Sequence, residues 1–194
     1  MDWFIYYNYR RFIIFKKQKI KIIATIPLLT ILIIFGFFLY ILIQGKDPSI
    51  PTSALLNKKL PNFQTINLLD ENQIFNKQKL LGKKVLINFF SSWCEPCKLE
   101  HSQLMSISKN QPGLFVLGIN YKDEKEDAIK FINDLGNPYD IIGIDNTGQI
   151  GMDFGVYGLP ETFIVNEEGL IIYKHVGPLT KKIYNDKIKK KLFD

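Results

Sequence analysis

The chain has 194 residues and a formal charge of +6, a size that fits one globular domain with additional segments. Six cations and one carboxylate lie within residues 1–21, so residues 22–194 carry a formal charge of only +1. The main domain is therefore nearly neutral and lacks the basic stripe of a nucleic-acid-binding surface. The sequence also contains no internal repeat and no glycine-rich phosphate-binding loop.

The first 43 residues predict a membrane anchor. Residues 1–21 combine aromatic and basic side chains, and residues 22–43 carry no charge. A helix of that second length, at about 1.5 Å per residue, spans the roughly 30 Å hydrocarbon core of a bilayer. Because the cations of the tail precede the apolar span, the positive-inside rule predicts a cytoplasmic N-terminus and an exported C-terminal domain.

The residues after the apolar span predict a retained anchor followed by a linker. A cleaved signal peptide is the alternative, but the apolar region is too long for one and residues 44–47 contain no small-residue cleavage site. Residues 44–59 include Pro48 and Pro51 and have no regular pattern. Such a linker reaches at most roughly 50 Å. The folded domain is predicted to occupy residues 60–194.

Within that domain, helical and strand patterns alternate along the chain. Apolar and β-branched runs predict strands at residues 63–69, 85–90, 114–119, 140–144, 162–165 and 170–176. The composition of residues 70–73 predicts a turn, and the last two strands form a predicted hairpin. Helical patterns fall at residues 94–109, 124–135, 149–154 and 180–193.

The two cysteines of the chain, Cys94 and Cys97, open the first of these helices directly after the apolar strand at residues 85–90. A C-x-x-C at a strand-to-helix junction is typical of a thioredoxin-like redox site. The helix N-terminus favours a thiolate at Cys94, which would attack a substrate disulfide before Cys97 resolves the mixed disulfide. The element order then predicts an α/β thioredoxin-like fold with an N-terminal strand extension and a central strand-helix insertion, preceded by one transmembrane helix.

Two other uses of the cysteines fit the sequence less well. A structural zinc site needs four ligands, whereas the chain has no second C-x-x-C and its histidines, His101 and His175, lie far apart. An inert structural disulfide fits poorly with Trp93 before the pair and Pro96 inside it, on a strand-helix turn. We therefore expect no metal and no cofactor beyond a redox-active Cys94–Cys97 disulfide.

Four stretches resemble the DsbE (CcmG) family of membrane-tethered thiol:disulfide interchange proteins of cytochrome c biogenesis. Two are the active-site stretch, residues 88–101, and the Gly-Val-Tyr-Gly-Leu-Pro-Glu-Thr-Phe block, residues 155–163, which is the more specific motif. Residues 118–123 and 175–179 are also similar to that family. The resemblance covers about residues 60–192 and leaves out the tail at residues 1–21.

The resemblance implies roles for residues around the cysteines. It implies that Pro160 is a cis-proline facing the pair, and that the neighbouring Leu159 backbone is free to pair with an extended substrate. Tyr157, Leu159 and Pro160 are accordingly the expected substrate-binding residues. Trp93 is expected to shield and orient the site.

The acidic residues near the pair favour a reductant. Glu95, between the cysteines, and Glu161, beside Pro160, oppose a thiolate at Cys94, so its pKa should be lowered only mildly. Thioredoxins carry a buried aspartate six residues before the first cysteine, but Asn88 stands there and cannot take a proton. Glu100 or Glu161, acting through water, would then help to deprotonate Cys97, the alternative for Glu100 being a solvated helix carboxylate.

The resemblance also implies a substrate and a location. The substrate would be apocytochrome c, whose C-x-x-C-H cysteines must be free thiols before haem is attached. The protein would span the bacterial inner membrane once, with its C-terminal domain in the periplasm, and a membrane disulfide reductase would return electrons to it. A general exported thiol reductase with broad substrates, a peroxidase of related fold and a non-enzymatic apocytochrome holdase are the alternatives. A peroxidase of related fold usually has a lone cysteine after a Pro-x-x-x-Thr-x-x pattern, and this sequence does not contain that pattern.

Overall fold

The computed structural model describes residues 26–41, 43 and 55–193, and the chain divides into two compact units, Met1–Pro48 and Ser49–Asp194. In the first unit, residues 26–41 and 43 are helical and their side chains are exposed. No helix within the described ranges combines the length and the apolar character that a membrane crossing requires. The tail at residues 1–21, residues 22–25 and 42 of the predicted span at residues 22–43, and residues 44–54 of the predicted linker at residues 44–59 lie outside the described residues, so these assignments stay predictions.

The second unit begins earlier than the predicted boundary at residue 60. The Asn57 N–H donates to the Ile171 carbonyl at 2.8 Å, and the Leu60 N–H donates to the Gly169 carbonyl at 2.9 Å. Between them, Lys59 forms an antiparallel bridge with Leu170. Residues 57–60 therefore belong to the folded domain, because they are bonded to its last hairpin.

A seven-stranded mixed sheet forms the centre of the second unit, with the strand order β2-β1-β5-β4-β3-β6-β7. The strands are β1 Gln64–Asn67, β2 Asp70–Asn76, β3 Lys84–Phe90, β4 Leu114–Tyr121, β5 Ile141–Asp145, β6 Glu161–Val165 and β7 Ile171–Val176. The helices are α1 Glu95–Asn110, α2 Lys125–Leu135, α3 Gln149–Asp153 and a terminal helix, α4, made of Lys181–Ile183, a π-helical turn Tyr184–Ile188, and Lys189–Phe193. A 3₁₀ turn, Lys77–Leu80, connects β2 to β3. This is the predicted α/β thioredoxin-like architecture.

The central strand β3 places the site because it is buried on both faces. It lies between β4, to which it is parallel, and β6, to which it is antiparallel. Its continuous apolar run predicts this burial. Since side chains alternate along a strand, Ile87 and Phe89 pack into one apolar core, whereas Leu86 and Phe90 pack into the core that contains the cysteines. Asn88 shares the face of Leu86 and Phe90, so this polar side chain is directed under α1.

The N-terminal extension is an antiparallel hairpin, and the turn predicted at residues 70–73 is wrong as to its position. The chain reverses at Leu68 and Leu69, and residues 70–73 belong to β2. Ile66 pairs with Ile74, but Asn67 pairs with Asp70, so the register shifts at this point. The Asp70 carboxylate accepts the Asn72 N–H at 3.1 Å, a local bond typical of turns. The turn chemistry is therefore present, but it makes an irregularity within the hairpin.

The central insertion, α2 and β5, adds a third parallel strand to the sheet. β5 pairs in parallel with β4, which is itself parallel to β3, so the carboxyl ends of all three strands lie at one edge of the sheet, their common edge. α2 ends at Gly136, whose φ of +90° is accessible to glycine and strained for other residues. The loops that follow β3 and β4 therefore lie side by side at this edge.

Candidate active site

Cys94 and Cys97 form a disulfide at the N-terminus of α1, with an S–S distance of 2.00 Å and a Cα–Cα distance of 5.3 Å. Cys94 is the N-cap residue, and its Sγ accepts the Cys97 N–H at 3.2 Å. Pro96 lies in the first turn, where a missing N–H costs no intrahelical bond. A thiolate at Cys94 in the reduced protein would be stabilised by this N–H and by the helix dipole.

Trp93 and Glu95, on either side of Cys94, are both exposed. The Trp93 indole is 61% exposed, and its Nε1–H donates to the Lys122 carbonyl at 3.0 Å. The Glu95 carboxylate lies 2.9 Å from the Lys98 ammonium, and the two side chains are 74% and 44% exposed. Solvent and this cation both reduce the effect of the Glu95 charge on Cys94.

The block predicted to contact substrate contains the cis bond that the resemblance implies. The Leu159–Pro160 peptide bond is cis. The Pro160 carbonyl accepts the Gly177 N–H at 2.9 Å, which ties the block to the loop after β7. Leu159 is half-buried against the apolar core, whereas Tyr157 is exposed. The substrate-binding roles of these residues remain predictions.

Glu100 is a buried carboxyl on the same helical face as Cys97, one turn further along α1. Only 1% of the residue is exposed, so the alternative of a solvated helix carboxylate is wrong. Burial raises the pKa of Glu100 to about 7, even though hydrogen bonds from Leu179 and Asn88 act in the opposite direction. A carboxyl with this pKa can accept and return a proton near neutral pH.

Both oxygens of Glu100 are held by N–H donors from distant parts of the chain. The Asn88 Nδ2–H donates to Oε1 at 2.7 Å, and the Leu179 N–H donates to Oε2 at 2.6 Å. Asn88 also donates to Thr162 Oγ1 at 3.2 Å and accepts the Tyr139 hydroxyl at 2.8 Å. The pKa of Tyr139 is raised by burial and then by the nearby Glu100 charge. Asn88 therefore orients the carboxyl of Glu100, whose part in deprotonating Cys97 remains a prediction.

Glu161, at the start of β6, is neutralised by a buried lysine. Its Oε2 lies 2.7 Å from the Lys174 ammonium, and the two side chains are 0% and 6% exposed. Its Oε1 accepts the Tyr157 N–H at 3.2 Å. Lys174 also donates to the Gly155 carbonyl at 2.8 Å and lies 4.7 Å from the centre of the Tyr157 ring. Glu161 is thus a structural anchor of the block at residues 155–163, and its charge is paired rather than free to oppose a thiolate at Cys94.

The two histidines have structural partners. His101 is buried, and its Nε2 lies 2.8 Å from the Gly136 carbonyl, while its ring lies edge-on to Phe131. Burial lowers the pKa of His101. His175 is half-buried, with Nε2 at 3.4 Å from the Pro178 carbonyl. Among the described residues, no group of three or more metal-ligating side chains comes together.

Comparison with known proteins decides the family. The Redoxin family matches residues 55–192. Thiol:disulfide interchange protein DsbE of Pasteurella multocida is 39% identical over 163 residues, which cover 83% of this chain and 89% of that protein. DsbE of Escherichia coli K12 is 38% identical over 177 residues, covering 89% of this chain and 93% of that protein. The chain belongs to the DsbE family. With its Cys94–Cys97 pair, it is a thiol:disulfide oxidoreductase.

Solved structures agree with the DsbE fold. A thioredoxin-family thiol:disulfide interchange protein from Chlorobium tepidum superposes with a TM-score of 0.60 at 22% identity, covering 69% of this chain and 95% of that one. A secreted Mycobacterium tuberculosis disulfide oxidoreductase, homologous to Escherichia coli DsbE, gives 0.59 at 17% identity, covering 66% and 95%. At these identities the likeness shows the thioredoxin-like fold alone.

Proposed function

We propose that this DsbE-family protein is a periplasmic reductant of the C-x-x-C-H disulfide of apocytochrome c, acting before haem is attached. The observation that carries the proposal is the Cys94–Cys97 disulfide in a chain of this family, with the buried Glu100 one helical turn beyond Cys97. Burial raises the pKa of Glu100 to about 7. The disulfide supplies the two-electron chemistry, and the carboxyl supplies a proton acceptor at neutral pH.

The exchange is balanced in electrons and protons. In the reduced protein, the Cys94 thiolate attacks one sulfur of the substrate disulfide, and the other substrate sulfur leaves as a thiolate. Cys97 then transfers its proton to Glu100 and attacks Cys94 Sγ. The second substrate thiolate leaves, and the Cys94–Cys97 disulfide forms. The enzyme dithiol is oxidised by two electrons, and a membrane disulfide reductase would return them.

The surroundings of Cys94 support the proposed direction of electron flow. A strong oxidant has an unusually stabilised thiolate, and hence a stable reduced form. Within the described residues, Cys94 Sγ has one N–H donor, from Cys97, and the nearest cation along the helix, Lys98, is paired with Glu95. This moderate stabilisation favours a reductant. The predicted anchor at residues 22–43 would keep the domain beside membrane-bound donors and raise their effective concentration.

The Cys97→Ala variant is expected to trap the substrate in the native membrane. Without the resolving thiol, mixed disulfides at Cys94 persist long enough to be isolated and identified. Apocytochrome c, or a component that handles it, should dominate the trapped species. A trapped set of many unrelated exported proteins would instead indicate a general thiol reductase. The matched control is the Cys94→Ser, Cys97→Ala double variant, which has no thiol and should trap nothing.

Holocytochrome c formation gives a second, independent test. Replacement of Cys94 by serine is expected to abolish it, because the attacking sulfur is lost, and an added small-molecule thiol should restore part of it. Haem staining of membrane fractions measures both results. Normal holocytochrome c in cells with the Cys94→Ser, Cys97→Ser double variant would contradict the proposal and favour a holdase that binds apocytochrome without redox chemistry.

A further inference from the structure

Two loops at the common edge of the sheet are joined residue by residue. The loop after β3, which leads into Cys94, is bonded through three consecutive residues to three consecutive residues at the end of β4. The bonds join Ser91 Oγ to the Tyr121 carbonyl, Trp93 Nε1 to the Lys122 carbonyl, and Ser92 to the Asp123 carboxylate. The loop after β4 belongs to the stretch at residues 118–123, to which neither the chemistry nor the proposed function assigns a role.

Asp123 holds the backbone of the redox loop directly. Its Oδ2 accepts the Ser92 N–H at 2.6 Å, and its Oδ1 accepts the Ser92 hydroxyl at 2.7 Å. The Asn120 Nδ2–H donates to Oδ2 at 2.8 Å, and the Glu124 N–H donates to Oδ1 at 3.1 Å. Each carboxylate oxygen therefore has two donors, and hydrogen bonds to a charged acceptor are stronger than neutral ones. Asp123 fixes the loop one residue before Trp93.

Lys122 fixes the indole of Trp93 through its backbone. It has a φ of +47°, a left-handed conformation that is uncommon outside glycine. Its N–H donates to the Asp145 carbonyl at the end of β5 at 3.0 Å. Its carbonyl accepts the Trp93 Nε1–H, while its own side chain is exposed. The hydrogen bond to β5 thus stabilises the left-handed conformation of Lys122, and the carbonyl of the same residue holds the indole of Trp93.

The anchored indole leaves a large apolar surface beside Cys94. Trp93 is 61% exposed even though its only polar atom is hydrogen-bonded within the domain. Rigid aromatic side chains with open faces are typical anchor residues of protein interfaces. Because Trp93 directly precedes Cys94, a polypeptide that brings a disulfide to Cys94 can contact this surface, whereas a small disulfide need not touch it.

We propose that Asp123 and Lys122 are positioning residues that hold Trp93 as part of the surface contacted by polypeptide substrates. They set the affinity for protein disulfides more than the reactivity of Cys94 itself. This inference rests on the thiol:disulfide oxidoreductase activity and does not depend on apocytochrome c being the substrate.

The test compares a protein disulfide with a small one. The intact chain is used with Trp3→Phe, which leaves Trp93 as the remaining tryptophan. Asp123→Ala in this background is expected to raise KM for insulin about tenfold, because an interface anchor loses its support. The rate constant with oxidised glutathione should fall much less. Trp93 fluorescence anisotropy should decrease, which reports the release of the indole directly.

Three further variants separate position from charge and from folding. Asp123→Asn keeps one acceptor oxygen for the Ser92 N–H, so it should recover most of the KM effect. Lys122→Val places a β-branched residue at φ +47°, where it is disfavoured, and should raise KM and lower the anisotropy even if Asp123→Ala fails to fold. Asp186→Ala, on the exposed face of α4, is the matched control and should change neither.

The proposal is overturned by any of three results. Equal losses with insulin and oxidised glutathione would show that the loop acts on the cysteines rather than on the substrate surface. An unchanged KM for insulin in folded Asp123→Ala protein would show that the carboxylate does not support the substrate surface. An unchanged Trp93 anisotropy in folded Asp123→Ala and Lys122→Val proteins would show that the loop does not hold the indole.

Discussion

Replacement of Lys174 by methionine is expected to lower the free energy of unfolding by about 3–5 kcal/mol, the cost of leaving one member of a buried ion pair without its partner. The Lys174 and Glu161 side chains are 6% and 0% exposed, and their charged atoms lie 2.7 Å apart. Methionine matches the length and apolar character of the lysine stem, so little packing is lost. The loss comes mainly from the Glu161 charge, which then has no cation beside it.

The same substitution should loosen the block that is predicted to bind substrate. Lys174 donates to the Gly155 carbonyl and faces the Tyr157 ring, while Glu161 accepts the Tyr157 N–H. Removing the ammonium takes away two of these supports and weakens the third. We therefore expect amide hydrogen exchange in residues 155–159 to be faster in the variant than in the parent protein. Exchange in β6 and β7 should change less, because these strands keep their ladder bonds.

Urea unfolding of the oxidised intact chain measures the energetic part of this prediction. The Glu161→Gln, Lys174→Met double variant removes both charges, and its stability should return to within about 2 kcal/mol of the parent because neutral replacements of buried pairs are often tolerated. Lys98→Met, which breaks the exposed pair with Glu95, is the matched control and should cost less than about 1 kcal/mol. A double variant as unstable as Lys174→Met alone would contradict the ion-pair explanation.

The strand and the helix that position the redox centre could be predicted from sequence, because the residues that determine them are close together in the chain. The run at residues 85–90 is apolar at nearly every position, which a strand buried on both faces requires, and it forms most of β3. Cys94 directly precedes α1, so strand, turn and helix start follow one another within a few residues. Gly136 ends α2 for a similarly local reason.

The supports of the site could not be predicted because they join distant residues. Glu100 is bonded to Leu179, which lies 79 positions away, and nothing in the helix pattern distinguishes it from a solvated carboxylate. Lys174 lies on β7, which pairs with one neighbouring strand and where a lysine ordinarily faces solvent. It is buried because the block after α3 folds over it. The position of the β1–β2 turn was likewise decided by pairing between strands rather than by composition.

Replacement of Glu100 by glutamine is expected to remove a pH dependence of stability worth about 3 kcal/mol, since its pKa is raised from 4.5 to about 7 in the folded protein. An acid with a raised pKa binds more protons in the folded state than in the unfolded state between these two values. Stability is therefore lost as pH rises from about 4.5 through 7. The glutamine variant has no such proton to lose, so this component of its pH profile should be flat.

The network around Glu100 can accept the amide without losing a partner. Glutamine can keep its oxygen on the Leu179 N–H and turn its NH₂ toward Asn88. Asn88 then flips its own amide, because the Tyr139 and Thr162 hydroxyls that bond it can each donate or accept. Unfolding of oxidised protein at pH 5 and pH 8 gives the result as a difference between parent and variant. The lowered pKa values of His101 and His175 act with the opposite sign in both proteins and cancel in that difference.

The same variant separates a structural role from proton transfer. If Glu100 accepts the Cys97 proton, Glu100→Gln should slow resolution of the mixed disulfide by about 10²-fold at neutral pH, the lower end of the range for general-base catalysis. Stopped-flow oxidation of the reduced protein by oxidised glutathione measures attack by Cys94 and resolution by Cys97 as separate phases. A purely structural carboxyl predicts the flattened stability profile with both phases unchanged. Slowing confined to the second phase, resolution by Cys97, is the result that assigns the proton to Glu100. A change in protein stability alone gives no reason for this phase to slow while attack by Cys94 is unchanged.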